Sequence, residues 1–272
     1  MAGYELVHVA VAAPNIPEPD IIKKAATIVN KDPYQTRLSL SGGIPKLIAH
    51  YHSMQEAEST AQNLRDLGLV AFICKDSELH KPSKIFTAHT MEFLEGETIF
   101  RDKGGQTKRT APSDVFLILQ GSVQTPTEEE TTETKTKINW GATLLTGGIP
   151  IYRNVTEKIS GVTVREEPLA RLYNREPSEP IVQMSQHGMA YSFLGAQIAP
   201  SSLANFNTVV AKLRELFPQA GFDDSMIRPH KSNMSSTRTL DDLELNCKLL
   251  YLYHKAKSGL RNLLHKDYTH RD

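Results

Sequence analysis

The chain has 272 residues, with 31 Lys+Arg against 31 Asp+Glu, so its formal net charge is zero with His neutral. At 39% hydrophobic and 23% charged residues it has the composition of an ordinary soluble globular protein, long enough to bury a substantial core. The charge balance argues against a general nucleic-acid binder, and no apolar run approaches the ~18 residues of a membrane span.

The opening MAGYELVHVA has no basic leader ahead of an apolar core, which argues against a secretory signal. Tyr4–Ala10 alternates and is rich in Val, the pattern of a strand. Pro17-Glu18-Pro19-Asp20 suits a helix start, where backbone donors are free and the dipole favours acids. Ile21, Ile22, Ala25, Ile28 and Val29 then share one helical face. Tyr34–Leu40 alternates again and reads as a second strand. Ser41-Gly42-Gly43 is a turn, and Ile44–Tyr51 is a returning strand. Ser53 with Glu56 forms a capping box ahead of a helix with Ala57, Ala61, Leu64 and Leu67 as its stripe and Gly68 as its C-cap. Leu69–Lys75 closes the set as a strand. The resulting order β-α-β-β-α-β is that of a ferredoxin-like split βαβ domain over residues 1–80.

His80–Ser83 reads as a linker to a mainly β domain over residues 84–272. Lys84–Phe93, Thr98–Arg101 and Gln106–Thr110 read as strands separated by Gly-containing turns. Val115–Leu119 is five apolar residues in a row, as in a strand buried on both faces. Residues 124–137 (QTPTEEETTETKTK) have no large apolar side chain and read as a mobile loop. Ile138–Thr146, with Trp140, fits a strand or a short helix. Val162–Arg165 and Leu169–Tyr173 fit strands, and Ile181–Leu194 an extended segment. Ser201 or Ser202 caps a helix carrying Leu203, Phe206, Val210, Leu213 and Phe217, stopped by Pro218. A last helix runs from about Leu240 to Leu264. Its stripe Leu245, Leu249, Leu252, Ala256, Leu260, Leu263 is joined in the first half by Leu240, Leu243, Cys247 and Leu250, so that half should be buried on two sides. The expected architecture is α+β. It joins the ferredoxin-like domain to a barrel or sandwich closed by C-terminal helices, similar in element order to a pleckstrin-homology-like (PH-like) shape.

None of G-x-G-x-x-G, G-x-x-x-x-G-K-[ST], H-E-x-x-H or G-x-S-x-G occurs. Neither a metal nor a cofactor is expected. Cys74 and Cys247 lack the C-x-x-C spacing of a zinc site and read as two buried thiols in a reducing cytoplasm. Four weaker arrangements each have a plain structural reading beside the chemical one. Ser41–Pro45 and Thr146–Pro150 nearly repeat and could form anion-binding nests, but two glycines are also good turn chemistry. His50 and His52 share a strand face and with His8 could make a metal triad, or simply a polar sheet face. His187 and Ser192 with Glu176 and Glu179 could be written as a nucleophile, base and acid, but their spacing gives no support. The C-terminal run is basic and amphipathic. Lys255, Lys257, Arg261 and Lys266 form a candidate interaction surface on a helix that could equally be packed on its own domain.

The primary expectation is a non-catalytic cytoplasmic protein that binds a partner protein, a second copy of itself or a regulatory ligand. Two alternatives stand beside it. One is an enzyme with its site between the two domains, walled by residues 50–52 and 187–192. The other is an acidic-lipid surface binder using the β domain and the last helix.

Overall fold

The computed structural model describes residues 5–13, 17–138, 152–175, 181–227 and 240–268, with the side chains of 125–138, 152–165, 240 and 260–268 outside that description. The protein mixes helix and sheet, in three open sheets with no closed barrel among the described residues. The barrel considered for the second half is thus absent there.

The first sheet has three strands. β1 (Val7–Ala12) lies between β2 (Lys46–Tyr51) and β3 (Val70–Lys75), antiparallel to both. Val7, Val9 and Val11 face a core with Ile22 of α1 (Pro19–Ile28), Leu40 of α2 (Pro33–Leu40) and Leu64 of α3 (Met54–Asp66). Ser53 Oγ accepts from Glu56 N at 3.3 Å to cap α3, and Gly68 (φ +81°) follows its end, as the capping pattern predicts. The expected strand over 34–40 is instead α2, so the four-stranded ferredoxin-like sheet does not form. Asp32 is the reason: its Oδ1 accepts from Tyr34 N at 2.8 Å and Gln35 N at 3.3 Å, and Pro33 supplies a helical φ at the first position. Thr36 and Leu40, four apart, are the buried positions.

α4 (Asp76–His80) leads into a five-stranded sheet ordered β11-β8-β9-β10-β4 and a three-stranded one ordered β5-β6-β7. The strands are β4 (Ile85–Thr87), β5 (Thr90–Leu94), β6 (Glu97–Arg101), β7 (Thr107–Thr110), β8 (Val115–Ile138), β9 (Tyr152–Asn174), β10 (Ile181–Ser185) and β11 (Gly221–Asp223). The single strand expected over 84–93 breaks at Ala88 and His89. Ala88 N donates to Gln183 O in one sheet and His89 N to Arg101 O in the other, so the chain changes sheets there. The extended segment expected over 181–194 ends at Ser185 and gives way to a 3₁₀ turn, Tyr191–Gln197.

Val115 and Ile118 face one core while Leu117 and Leu119 face another, which is the two-sided burial read from that run. α5 (Ser202–Leu216), capped by Ser201, packs Phe206, Val209 and Leu213 against the first of these cores. α6 (Leu240–Tyr268) joins two sheets. Its Leu243, Cys247 and Leu250 pack on the five-stranded sheet, and its Leu245, Leu249 and Leu252 on the open face of β1–β3. Each such leucine buried contributes about 1.5–3 kcal/mol.

Contacts divide the chain into two compact units, residues 1–123 with 167–272, and residues 124–166. The segment 124–137 is strand, part of β8, and not a loop. Six of its residues are Thr, whose branched side chain favours extended backbone even without large apolar groups.

Candidate ligand cleft

α4 ends at His80, and the chain runs extended through Lys81-Pro82-Ser83-Lys84 before β4. Lys248 on α6 fixes this segment: its Nζ donates to Leu79 O at 2.7 Å and to Lys81 O. Glu244, one turn earlier, accepts from Ser83 Oγ and, at 2.6 Å, from Arg171 Nη1 of β9. Arg171 is 1% exposed and also donates to Gln183 at 2.8 Å. Burial would raise the Glu244 carboxyl. The Ser83 hydrogen bond and the Arg171 guanidinium outweigh it and hold the group below the usual carboxylate range. Burial lowers Lys248, an effect that Glu244 opposes and Arg171 reinforces.

These fixed elements surround a cleft of about 530 Å3. Its walls are the 78–84 segment, Tyr173 and Asn174 at the end of β9, Ile181, and Lys248, Tyr251, Leu252 and Lys255 of α6. The Tyr173 and Tyr251 rings stack at 5.1 Å and 22°. Four of the lining residues are lysines and one is an acid, Glu78. Lys81, Lys84 and Lys255 are exposed, and among the described residues no carboxylate pairs with them. Asn174 is 8% exposed, and among the described residues its buried Oδ1 has no hydrogen-bond partner. A buried acceptor without a partner costs about 1–3 kcal/mol, a cost that a donor in the cleft relieves. A second cavity of about 470 Å3 lies by the end of α5, where Arg214 stacks 4.3 Å over Phe222 and Glu215 balances its charge.

Of the four residues expected at the C-terminal surface, Lys255 lines the cleft. Lys257 Nζ lies 5.7 Å from the Tyr253 ring centroid, on the same helix. Arg261 and Lys266 lie on α6 with their side chains outside the described part. Lys81, Lys84 and Lys248 are not among the residues that the sequence singles out: Lys81 falls in the expected linker and Lys84 at the start of an expected strand. The flanking of Pro82 by two lysines was the available signal.

The histidines are arranged differently from the expected triad. His8 and His50 are cross-strand neighbours with Nδ1 atoms 2.6 Å apart. His52 lies past the end of β2 and is exposed, and it is Asp76 that reaches His8. Among the described residues no three His, Cys, Asp or Glu side chains converge as a metal site. His187 N donates to Glu167 Oε1 at 3.0 Å and Ser192 is exposed, while Glu176 and Glu179 lie outside the described residues. Neither cavity is lined by His50 or by residues 187–192, the walls expected for an enzyme site. Of the two Gly-Gly repeats, 41–45 is a turn with Gly42 at φ +109°, and 146–150 lies outside the described residues. Both thiols are buried, as expected, and burial pushes Cys74 up to about 12 and Cys247 up to about 11. They are protonated thiols at neutral pH and weak nucleophiles.

Comparison with protein-family models, with curated proteins and with solved structures finds no match. No helix among the described residues is long and apolar enough to cross a membrane.

Proposed function

We propose that this is a non-catalytic binding protein that takes a small anionic regulatory ligand in the lysine-lined cleft. The observation that carries the reading is the combination, in one concavity, of three lysines and a buried Asn174 oxygen that have no partner among the described residues. The lysines supply charge for an anionic group, the tyrosine pair and Leu252 an apolar wall, and Asn174 an acceptor for a ligand donor. A few hundred cubic ångströms with few polar groups is the usual form of a small-molecule site. Two protonated thiols fit a reducing compartment such as the cytoplasm.

Calorimetric titration with inorganic pyrophosphate tests the charge complementarity. Binding is expected to weaken as NaCl rises, since the lysines are solvent-facing and screened. Lys84→Gln together with Lys255→Gln should weaken it tenfold or more. Equal affinity in the double variant, or no binding of pyrophosphate at low salt, overturns the reading. Vesicles with and without acidic lipid separate it from the membrane-surface alternative: stronger sedimentation with acidic vesicles than with neutral ones favours the membrane.

A further inference from the structure

A second polar cluster sits on the same face of the three-stranded sheet as Ala10 and Ala12. His8 on β1 stands directly opposite His50 on β2, with their Nδ1 atoms 2.6 Å apart. The other nitrogen of His8, Nε2, lies 2.9 Å from Asp76 Oδ1. Asp76 is itself fixed at the start of α4, where its N–H donates to Leu6 O at 2.9 Å. His8 is 5% exposed, whereas His50 is open to solvent.

The proton count follows from this geometry. An ionised carboxylate only accepts, so His8 Nε2 carries a hydrogen. Two nitrogens 2.6 Å apart hold one hydrogen between them. In the neutral pair, His50 Nδ1–H donates to His8 Nδ1, and His50 Nε2 is left with a free lone pair in solvent. One added proton binds at that Nε2 and every hydrogen bond survives. A second proton has only His8 Nδ1 left, and there it would set two N–H groups, on two cations, against each other.

We propose that the His8–His50 pair is a one-proton lock on the β1–β2 edge, which a second proton opens by expelling His50 into solvent. His8 stays, because its Nε2–H keeps Asp76 and the imidazolium strengthens that bond. The surrounding charges favour this order. From the α1–α2 turn, Lys31 adds positive potential at His50. From α4, His80 Nδ1 lies 3.3 Å from Asp76 Oδ1, and Glu78 with Asp76 acts on the Cys74 thiol beside His8. Glu5 pairs with Lys75 at 3.3 Å and accepts from Ser77. From α6, which covers the rest of this face, Lys257 lies over Tyr253 and Lys248 donates to Leu79 O.

The sign is fixed by comparison with the unfolded chain, where both imidazoles titrate near ~6.5. Burial, His8 and Lys31 lower His50 in the folded state. The folded pair therefore binds fewer protons than the unfolded chain once pH drops below ~6.5. Stability is fully present above that pH and is lost as pH falls toward the folded value.

Imidazole NMR titration of the full chain, with urea unfolding at steps from pH 8 to pH 5, tests the lock. The expected result is that His50 titrates on the acid side of the ordinary imidazole value and that its contact with His8 is lost as it does. The folded-to-unfolded ratio should fall by up to tenfold per pH unit below ~6.5 relative to His50→Gln, with His52→Gln behaving as the native chain. Independent titration of both imidazoles near their ordinary value overturns the proposal. So does a His50→Gln protein with the native pH slope. If that variant does not fold, the titration of the native chain decides alone.

Discussion

The two polar clusters that flank α4 are opposite in bonding. At its start, His50, His8 and Asp76 form a string in which each facing atom has a partner within 2.9 Å. At its end, Lys81, Lys84 and Lys255 line a cleft in which, among the described residues, no carboxylate pairs with them, beside an Asn174 oxygen without a hydrogen-bond partner there. The first cluster has its valences filled from within the chain, so its response is to protons. The second has valences left over, so its response is to something from outside. Counting unsatisfied donors and acceptors is what separates the two.

The sharpest way to break this comparison is at the Arg171–Glu244 pair, which is tied to the cleft wall through Ser83. Arg171 is held by Glu244 at 2.6 Å and is 1% exposed. Glu244→Ala leaves a buried guanidinium without its carboxylate and should cost about 3–5 kcal/mol in urea unfolding. A loss below about 1 kcal/mol would show that water reaches Arg171 and that this pair is not closed.

The next effect concerns the helix that holds both regions together. Leu250 is fully buried on the five-stranded sheet, and Leu249 is 3% exposed on the β1–β3 sheet. Either residue changed to Ala should cost about 2–5 kcal/mol. If one of them costs almost nothing, α6 is not clamped on that side and the cleft it lines is not a fixed site.

The two-sided burial of the first half of α6 was legible in the sequence, where two apolar stripes run at helical spacing, although which sheets it joins was not. The capped α3 and the buried run Val115–Leu119 were legible for the same kind of reason: local signals agreed with the tertiary outcome. Tyr34–Leu40 shows the converse. Its alternation fits a strand equally well, and only the Asp32-Pro33 start signal, overlooked beside it, decides for a helix. In 124–137 a lack of large apolar groups suggested a loop, although its threonines favour strand. The cleft was legible only at Lys255. Its other groups come from residues 78–84, 173–181 and 248–252, and no periodicity links segments so far apart in the chain.

A smaller effect distinguishes binding from stability. Lys84→Gln with Lys255→Gln removes two exposed charges and should leave unfolding within about 0.5 kcal/mol of native. The same pair should reduce pyrophosphate affinity by at least tenfold, about 1.4 kcal/mol. A parallel loss of both would place these lysines in the framework and not in the site.

The smallest expected change in stability is the most diagnostic for the cleft. Asn174 has a buried Oδ1 with no partner, so the free protein bears the cost of desolvating it. Leu has nearly the same shape and no such acceptor. Asn174→Leu should therefore leave the free protein as stable as native, or up to about 1 kcal/mol more stable, in contrast to most substitutions at a site only 8% exposed. A ligand whose donor meets that oxygen should bind the variant at least tenfold more weakly, even though all four lysines remain. Pyrophosphate carries few donors at neutral pH and should be nearly insensitive to the change, whereas an amine- or hydroxyl-bearing phosphate ester should lose affinity. If Asn174→Leu destabilises the free protein by several kcal/mol, the amide is already satisfied at home. The two ends of α4 would then not differ in the way their bonding indicates.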